Sequence, residues 1–571
     1  MYLRRRYLLL LRRRWQLFSS SRRTLEVRER DVENIQDIEC TSDGVTYCFS
    51  DGVGKISLCF AQQVAAKCGL DNIPSVFQIR FGGYKGVVAV DRNSFRKLSL
   101  RPSMLKFSSE NRMLNVTNWS KPMPCFLNRE IVTLLTTLGV PDSGFETLLR
   151  DQLELMSTME TDINAAIAVL KNLISYNDDD ILVKMMNHGY EPRCEPYLSM
   201  MLNSCYEVLY DNLRGKCKVF VPKGRVLIGC LDEVGNLEYG QVFVKITKRT
   251  GCGTEERCVL RGRVAVTRNP CLHPGDIRVL EAVYDESLDE KGLVDCLVFP
   301  QKGPRPHPNE CSGGDLDGDL FFLTWDETLI PQEMDAPMEY LGGRPRIMDH
   351  EVTTEEIQEF FVEYMINDNL GLISSAHLVH ADCDREKARS ENCLHLAGLH
   401  SVAVDFAKSG APAEMPRFLI PNKYPDFMER FEKPAYESQG ILGKLYRMTV
   451  AAARVDLKAK AMEDDAYDRD LEVDGFKEFI EIARKHREMY SEKMSSLMNY
   501  YGAKGEDEIL TGNLRNRELY LQRDSRVYVD VRDRISEGVK RLQREAKEWL
   551  PRGGSPGEKP PPAPALFPVG F

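Results

Sequence analysis

The sequence predicts a multidomain α+β chain: two small β domains joined by a helical connector and followed by a large helical region. Three observations carry this reading. The chain has 571 residues, and a single core rarely grows beyond about 250–300 residues, so several domains are expected. Strand-type runs broken by Gly and Asp fill two separate stretches, with helical periodicity between and after them. In the second β stretch, a glycine-rich loop followed by an apolar strand places three carboxylates, Asp315, Asp317 and Asp319, at alternate positions.

In chain order, residues 1–37 read as an atypical leader. MYLRRRYLLLLRRRWQLFSSSRR holds eight arginines, and no acid occurs before Glu26. A disordered basic extension is expected; an Arg-rich, acid-poor organellar transit peptide is the competing reading. Residues 38–125 form the first β domain, with CFSDGVGKISL, VFQIRF and GVVAVD as strand-type runs. Residues 126–210 are helical: REIVTLLTTLG and ETLLRDQLELMSTMETDINAAIAVLKNLI repeat their apolar residues at helical spacing. Residues 211–330 return to β through KVFVPKGRVLIGCL, QVFVKI, GRVAVTR, IRVLEAV and DCLVFP. Residues 331–550 are mainly helical, and Thr353-x-x-Glu356 supplies a capping box for the first clear helix. The tail 551–571, PRGGSPGEKPPPAPALFPVGF, is too rich in Pro and Gly to build a core and is expected to be disordered.

Bulk properties narrow the function. Net charge is −10, so a nucleic-acid channel must be a local basic stripe. Sixteen cysteines are scattered without a C-x-x-C pair, which predicts reduced thiols of an intracellular protein, with neither a zinc ribbon nor a disulfide framework. No apolar run approaches the length of a membrane span, so no membrane association is expected.

The Asp-Leu-Asp-Gly-Asp loop carries the chemistry. Three anions in one short segment repel one another unless a cation joins them. All-oxygen carboxylate ligation suits Mg²⁺ or Mn²⁺, ions that activate hydroxyls and stabilise leaving oxygens at phosphates. An EF-hand is excluded, since the sixth and twelfth positions from Asp315 hold Leu320 and Asp326 rather than Gly and Glu. A phosphatase of the D-x-D-G type would put the apolar strand before the triad; here it follows, as Leu320–Leu323.

RPHPNECSGGDLDGDLFF (305–322) resembles the catalytic segment of the cellular, silencing-type RNA-dependent RNA polymerases. YCFSDGVGKIS, VFQIRFGGYKGVVAVD, EPYLSMML, KVFVPKGRVLIGCLDEVGNLEYGQVFVKI, GRVAVTRNPCLHPGDIRVLEAV, AHLVHAD and AVDFAKSGAPAEMP are similar to further segments of that family, in one order over roughly residues 40–550. EMDAPMEYLGGRPRIMDHEVTTEEI and RFEKPAYES look like its plant members. The resemblance implies two double-psi β-barrels of the RNA polymerase type. It also implies an RNA-directed RNA polymerase that converts single-stranded RNA and ribonucleoside triphosphates into double-stranded RNA for small-interfering-RNA production and gene silencing. A nuclear location, a DNA-dependent RNA polymerase partner and a Dicer-type nuclease downstream are further implications. Compared with the family, the chain looks shortened at both ends, which departs from the family pattern.

Residue by residue, the resemblance makes Asp315, Asp317 and Asp319 the metal ligands and Lys85 a catalytic cation. Arg80 and Lys106 are matched to triphosphate binding. Arg305, beside the metal loop, is a candidate to orient phosphate or the loop, together with His307. Lys218, Lys223 and Arg225 form a basic stretch that reads either as RNA-phosphate contacts or as a solvated strand face. Lys408 is a candidate RNA contact from the helical region. Arg268-Asn269-Pro270 and His273–Asp276 form polar turns placed to line a site, and His377 and His380, three apart, read as packing or polar residues rather than zinc ligands. Two rivals stand beside the polymerase: a catalytically inactive, shortened RNA-binding or partner-binding form, and a metal-triad hydrolase.

Overall fold

A computed structural model describes residues 21–549, apart from positions 43, 175–179, 250–254, 341–348, 351, 431, 453–476, 478–479, 513 and 515–524. The chain forms two compact units. One comprises the residues up to Arg150 with Gly215–Arg447, and the other Asp151–Arg214 with the residues from Met448 onward.

The first unit opens on a sheet built from β1 (Arg22–Glu26), β2 (Val32–Asn34), β5 (Val53–Ser57), β6 (Val76–Phe81), β7 (Tyr84–Asp91), β8 (Leu98–Leu100) and β9 (Met113–Trp119), in the order β1-β9-β6-β7-β5-β8-β2. A separate hairpin, β3 (Glu39–Ser42) and β4 (Val45–Cys48), precedes β5. β-Branched runs such as Val87–Val88 and Val90 suit a pleated, buried surface. Helix α1 (Leu58–Lys67) turns Phe60, Ala61 and Val64 into the same core as Ile56, Phe77, Ile79, Val88 and Leu98.

The second sheet uses β10 (Gly224–Leu231), β11 (Gln241–Arg249), β12 (Glu255–Val259), β13 (Gly262–Arg268), β14 (Arg278–Ala282), β15 (Cys296–Phe299) and β16 (Leu320–Thr324). β15 pairs back onto β11 with Phe243 opposite Val298, so six strands close into a barrel and β12 hangs outside it on β11. Closure leaves those six strands without a free edge. Phe49, Val53, Val76, Val87 and Ala89 of the first β domain share one core with Leu227, Phe243, Val266, Leu297 and Phe321 of the barrel. The two β domains are therefore one packed body.

Helix α2 (Arg129–Thr137) starts at Asn128, whose side chain accepts from Ile131 N. It is followed by α3 (Asp142–Thr158), α4 (Ile163–Asn172), α5 (Ile181–Asn187) and α6 (Pro196–Lys216). Within the barrel region lie two short helices, α7 (Glu286–Lys291) and α8 (His307–Glu310). After β16, residues 331–340 run as an extended strap without helix or strand. Then come α9 (Thr354–Ile366), α10 (Leu370–Cys383), α11 (Glu391–Ser409) and α12 (Ile441–Ala451). α9 has the expected capping box: Thr353 Oγ1 accepts from Glu356 N, and the Glu356 carboxylate accepts from Thr353 N. α10 and α11 pack through Ile373, Ala376 and Leu396. In the second unit, α13 (Ile480–Tyr501), α14 (Glu506–Thr511) and α15 (Ser525–Trp549) bury Met494, Ile509, Ile535 and Leu542.

One boundary differs from expectation. Residues 22–34, placed by composition in a disordered leader, supply the two outermost strands of the first sheet. Edge strands need few buried side chains, and every residue of β1 and β2 is at least partly exposed, so their hydrophobic alternation is weak. The first part of the leader, residues 1–20, and the tail 551–571 lie outside the described residues.

Candidate active site

The metal loop is held by its one apolar residue. Leu316 is buried in the barrel core, and its N–H donates to Asp51 O at 3.2 Å. With Leu316 packed into the core, carboxylate oxygens of Asp315, Asp317 and Asp319 lie within 4.8 Å of one another, Asp317 buried and the two flanking acids half-buried. The loop is tied internally by Asp317 N to Asp315 Oδ1 at 3.2 Å and Asp315 N to Asp319 Oδ2 at 3.1 Å. Gly318 has φ 128° and lies so close to the first sheet that a β-carbon there would sit 1.7 Å from Gln78 Nε2. On the other side, Gly52 (φ 82°) faces Asp317: a β-carbon on Gly52 would meet Asp317 main-chain atoms at 2.7–2.8 Å.

Electrostatics separates the three acids. Burial, then the charges of Asp317 and Asp319, push the Asp315 carboxyl up to about 7. Burial pushes Asp317 the same way, but the Lys85 hydrogen bond and charge outweigh it, with Lys106 adding to them, and hold Asp317 below its ordinary value. Three converging oxygen donors, one of them unfavourably charged without a counter-ion, fit a hard divalent cation.

The first sheet supplies the cations. Arg80 on β6 pairs directly with Lys85 on β7 across a tight hairpin. Lys85 Nζ lies 2.5 Å from Asp317 Oδ2. The Lys106 backbone N–H donates to Gly83 O at 3.0 Å, which sets this residue beside the same hairpin, and its ammonium donates to Ser103 O at 2.8 Å. Arg80 donates to Ile79 O at 2.8 Å; burial lowers its pKa, and the Asp317 charge opposes that shift.

Two residues at the site were not singled out for these roles by sequence reasoning. Gln78 bridges the β domains: its Nε2 donates to Asp317 O at 3.3 Å while its Oε1 accepts from Thr117 Oγ1 at 2.9 Å. Arg268 Nε lies 2.5 Å from Asp319 Oδ2, and its guanidinium also donates to Ser312 O at 3.2 Å. Arg268 belongs to a polar turn that the sequence places at the site; Gln78 lies inside the family-like segment VFQIRFGGYKGVVAVD, with nothing in its own strand to distinguish it.

Other candidates fall elsewhere. Arg305 is buried, and its guanidinium is engaged by Asn309 Oδ1, Met338 O and Glu339 and lies over the rings of Tyr47 and Tyr340. It anchors the strap next to the metal loop, in keeping with the second of its two expected roles, orienting the loop rather than phosphate. His307 donates from Nδ1 to Glu310 at 2.6 Å and accepts Gly240 N at Nε2, so it is a fixed part of the barrel. Arg225 pairs with Leu323, whereas Leu320 at the triad end pairs with Ile228. Arg225 and Lys223 are thus roughly 10 Å or more along the strands from the metal loop. Arg225 lies over Trp325 and Lys218 over Phe126, and the Lys223 side chain is exposed. The Lys408 side chain lies outside the described residues. His377 is buried, with its pKa lowered to about 3 by burial, and His380 pairs with Leu419 O at 2.9 Å, in keeping with packing and polar roles.

Comparison with known proteins decides the family. Residues 3–449 match the family model described as "RNA dependent RNA polymerase". The chain belongs to this family. Residues 466–570 match the model described as "RdRP, head domain". Both the Arg-rich start and the Pro-rich end, expected to depart from the family, thus fall largely within matched regions. RNA-dependent RNA polymerase 2 of Arabidopsis thaliana is 60% identical over 94% of this chain and 48% of its own length. The probable RNA-dependent RNA polymerase 2 of Oryza sativa subsp. japonica is 57% identical over 94% and 48%. RNA-dependent RNA polymerase 1 of Schizosaccharomyces pombe is 33% identical over 83% and 42%. The chain spans about half the length of these curated relatives. Among solved structures, the RNA dependent RNA polymerase QDE-1 from Thielavia terrestris matches with TM-score 0.58 and 19% identity, covering 93% of this chain and 63% of that one. The fold is that of this polymerase class, with the paired β domains and helical region expected from the sequence.

Proposed function

We propose that this chain catalyses RNA-templated RNA synthesis, copying single-stranded RNA into double-stranded RNA from ribonucleoside triphosphates. One observation carries the proposal: three converging carboxylates on the barrel face a cation-bearing hairpin of the first sheet, with Lys85 on Asp317. That pairing of an anionic metal loop with an opposing cationic lip suits a triphosphate donor.

Asp315, Asp317 and Asp319 are the proposed metal ligands. A divalent cation held there, Mg²⁺ or Mn²⁺, would lower the pKa of the attacking 3′-hydroxyl and, with a second ion accompanying the triphosphate, stabilise the leaving oxygen. Lys85 supplies a compact mobile charge beside the reacting phosphate, and Arg80 and Lys106 extend the positive lip along the triphosphate. Arg268 orients Asp319 from the opposite side, and Gln78 holds the Asp317 main chain at a constant distance from the first sheet. Lys218, Lys223, Arg225 and Lys408 are proposed as more distant RNA contacts.

The finer reading follows the plant relatives. We place the product upstream of small interfering RNAs and gene silencing in the nucleus, with a DNA-dependent RNA polymerase supplying template and a Dicer-type nuclease consuming the duplex. The sequence resemblance to silencing-type enzymes supports this. Nuclear fractionation and sequencing of small RNAs after loss of the protein test it.

The central experiment incubates the purified chain with a defined single-stranded RNA, four ribonucleotides and Mg²⁺. Template-length complementary product is expected. A chain that binds RNA but yields no product under any divalent ion would reduce it to a binding module.

A further inference from the structure

The turn Ser50-Asp51-Gly52, just ahead of β5, meets three parts of the candidate site. Asp51 O accepts from Leu316 N of the metal loop at 3.2 Å. Gly52 O accepts from Val87 N, two residues beyond Lys85 on β7, at 2.8 Å. Gly52 N donates to Ser103 Oγ at 3.3 Å, and Ser103 O accepts from the Lys106 ammonium at 2.8 Å. The metal loop and two of the cations opposite it are thus registered on one turn of the chain.

A single carboxylate holds that turn. Asp37, between β2 and β3, is half-buried. Its Oδ1 accepts from Ser50 Oγ at 2.8 Å and from Ser103 Oγ at 2.7 Å, and its Oδ2 accepts from Ser103 N at 2.9 Å. Ser50 is fully buried, and its hydroxyl also accepts from Ile38 N at 2.9 Å. Burial pushes the Asp37 carboxyl up, but the hydrogen bonds from Ser103 and Ser50 outweigh it and hold the group below its ordinary value. An ionised carboxylate only accepts, which suits three converging donors. The backbone beside it has its own anchor. The buried Arg101 guanidinium donates to Gln36 O at 3.0 Å and to Val53 O at 2.7 Å, and it makes a bidentate pair with Glu233, just past β10. Asp37 therefore stands on a fixed footing, and its donors come from the two segments that bear on the site: Ser50 from the turn behind the metal loop, Ser103 from the loop that leads to Lys106.

We infer that Asp37 is a positioning residue for nucleotide addition: through Ser50 and Ser103 it sets the separation between the metal loop and the Lys85 and Lys106 ammonium groups. The inference rests on the polymerase reading. A reacting constellation must be held within about 0.5 Å of its productive geometry, and a misplacement of about 1 Å costs on the order of a hundredfold in rate. Without Asp37, the Ser50 hydroxyl is left buried with an unpaired donor, and the two segments lose the group that joins them.

Asp37→Ala and Ser103→Ala are compared with the unaltered chain and with Asp31→Ala. The last is a control from the same stretch: Asp31 pairs with Lys97 at 2.9 Å, and Lys97 O accepts from Ser57 N at the other end of β5. Primer extension opposite a templated uridine gives kcat and KM for ATP, at a temperature well below the lowest melting temperature and corrected for the folded fraction. In Asp37→Ala and Ser103→Ala, kcat/KM for ATP is expected to fall at least about tenfold with KM raised, while affinity for template RNA stays level. Asp31→Ala is expected to match the unaltered chain. A role confined to stability would lower the melting temperature and leave kcat/KM per folded molecule unchanged; that result, or an equal loss in Asp31→Ala, overturns the inference. If Asp37→Ala is unfolded at the assay temperature, Ser103→Ala alone decides. Should the unaltered chain extend no primer, the polymerase reading fails by itself, and calorimetric titration with ATP and Mn²⁺ decides on Asp37: binding weakened in Asp37→Ala and Ser103→Ala but not in Asp31→Ala supports the positioning role, and equal binding by all four chains refutes it. An unaltered chain that neither extends a primer nor binds ATP removes both.

Discussion

Asp317 is pulled in two directions, upward by burial and downward by Lys85, and the second wins. Asp317→Ala removes a ligand and the lysine's partner together. Nucleotide addition is expected to fall by at least about a thousandfold, in line with the several kcal/mol a bound metal contributes at phosphate. The melting temperature should hold, because repulsion within the loop also falls; near-normal synthesis by this variant would sink the triad assignment. Lys85→Ala should lower kcat and raise KM for nucleotide while template affinity stays level, which parallel kinetics and RNA titration would read. Asp315 gives a pH test. Its carboxyl sits at about 7 in the folded chain against an ordinary 3.8. A raised acid pKa means the folded state holds the proton, so stability is lost as pH rises through this window and the acid ionises. Below pH 7 a metal ion must displace that proton. The rise in melting temperature on adding Mg²⁺ should therefore be larger at about pH 8 than at about pH 6; equal rises at both would show that Asp315 does not bind the metal as a carboxylate. At this scale the triad and Lys85 were legible because their motif is local. Gln78 was not, since its role depends on the Asp317 loop, 239 residues further along the chain. For Arg305 the choice between phosphate and loop was not legible, because its partners sit on a strap with no periodic pattern to reveal its path.

At the scale of elements, the alternation of β, helical, β and helical stretches was readable because buried strands and amphipathic helices carry distinct periods. The closed ring was not readable from periodicity: the return of β15 onto β11 is a long-range pairing, and only the family resemblance pointed to a barrel. The edge strands β1 and β2 were missed for lack of a buried face. The close approach of the two β domains gives a sharper test. Gly52 faces the Asp317 main chain, where a methyl group has no room, and its φ of 82° penalises any other residue. Gly52→Ala should displace the metal loop, with nucleotide addition lowered at least about tenfold and RNA affinity little changed. The strain itself is of the order of 1–2 kcal/mol, so the variant should still fold. Circular dichroism with a primer-extension assay checks both halves, and full activity would mean the loop is looser than its packing indicates.

For the whole molecule, a net charge of −10 sets a problem that the proposed RNA synthesis must solve locally. The cationic lip concentrates Arg80, Lys85 and Lys106 against a barrel loop that is itself anionic, and Lys218, Lys223 and Arg225 lie along the barrel beyond it. Global repulsion from RNA and local attraction then respond differently to salt. Salt screens the long-range repulsion, while each phosphate neutralised by lysine or arginine releases counter-ions, which opposes binding as salt rises. Contact-range neutralisation dominates a bound complex, because the neutralised phosphates lie well inside a Debye length. With about three neutralised phosphates on single-stranded RNA, log Kd should change with log salt at a slope of roughly 2, so that affinity falls on the order of tenfold between about 50 and 200 mM. A fluorescence titration of labelled single-stranded RNA across that range measures the slope. A flat or inverted response would mean that the negative charge of the whole chain governs binding, and the basic lip could then serve only the triphosphate.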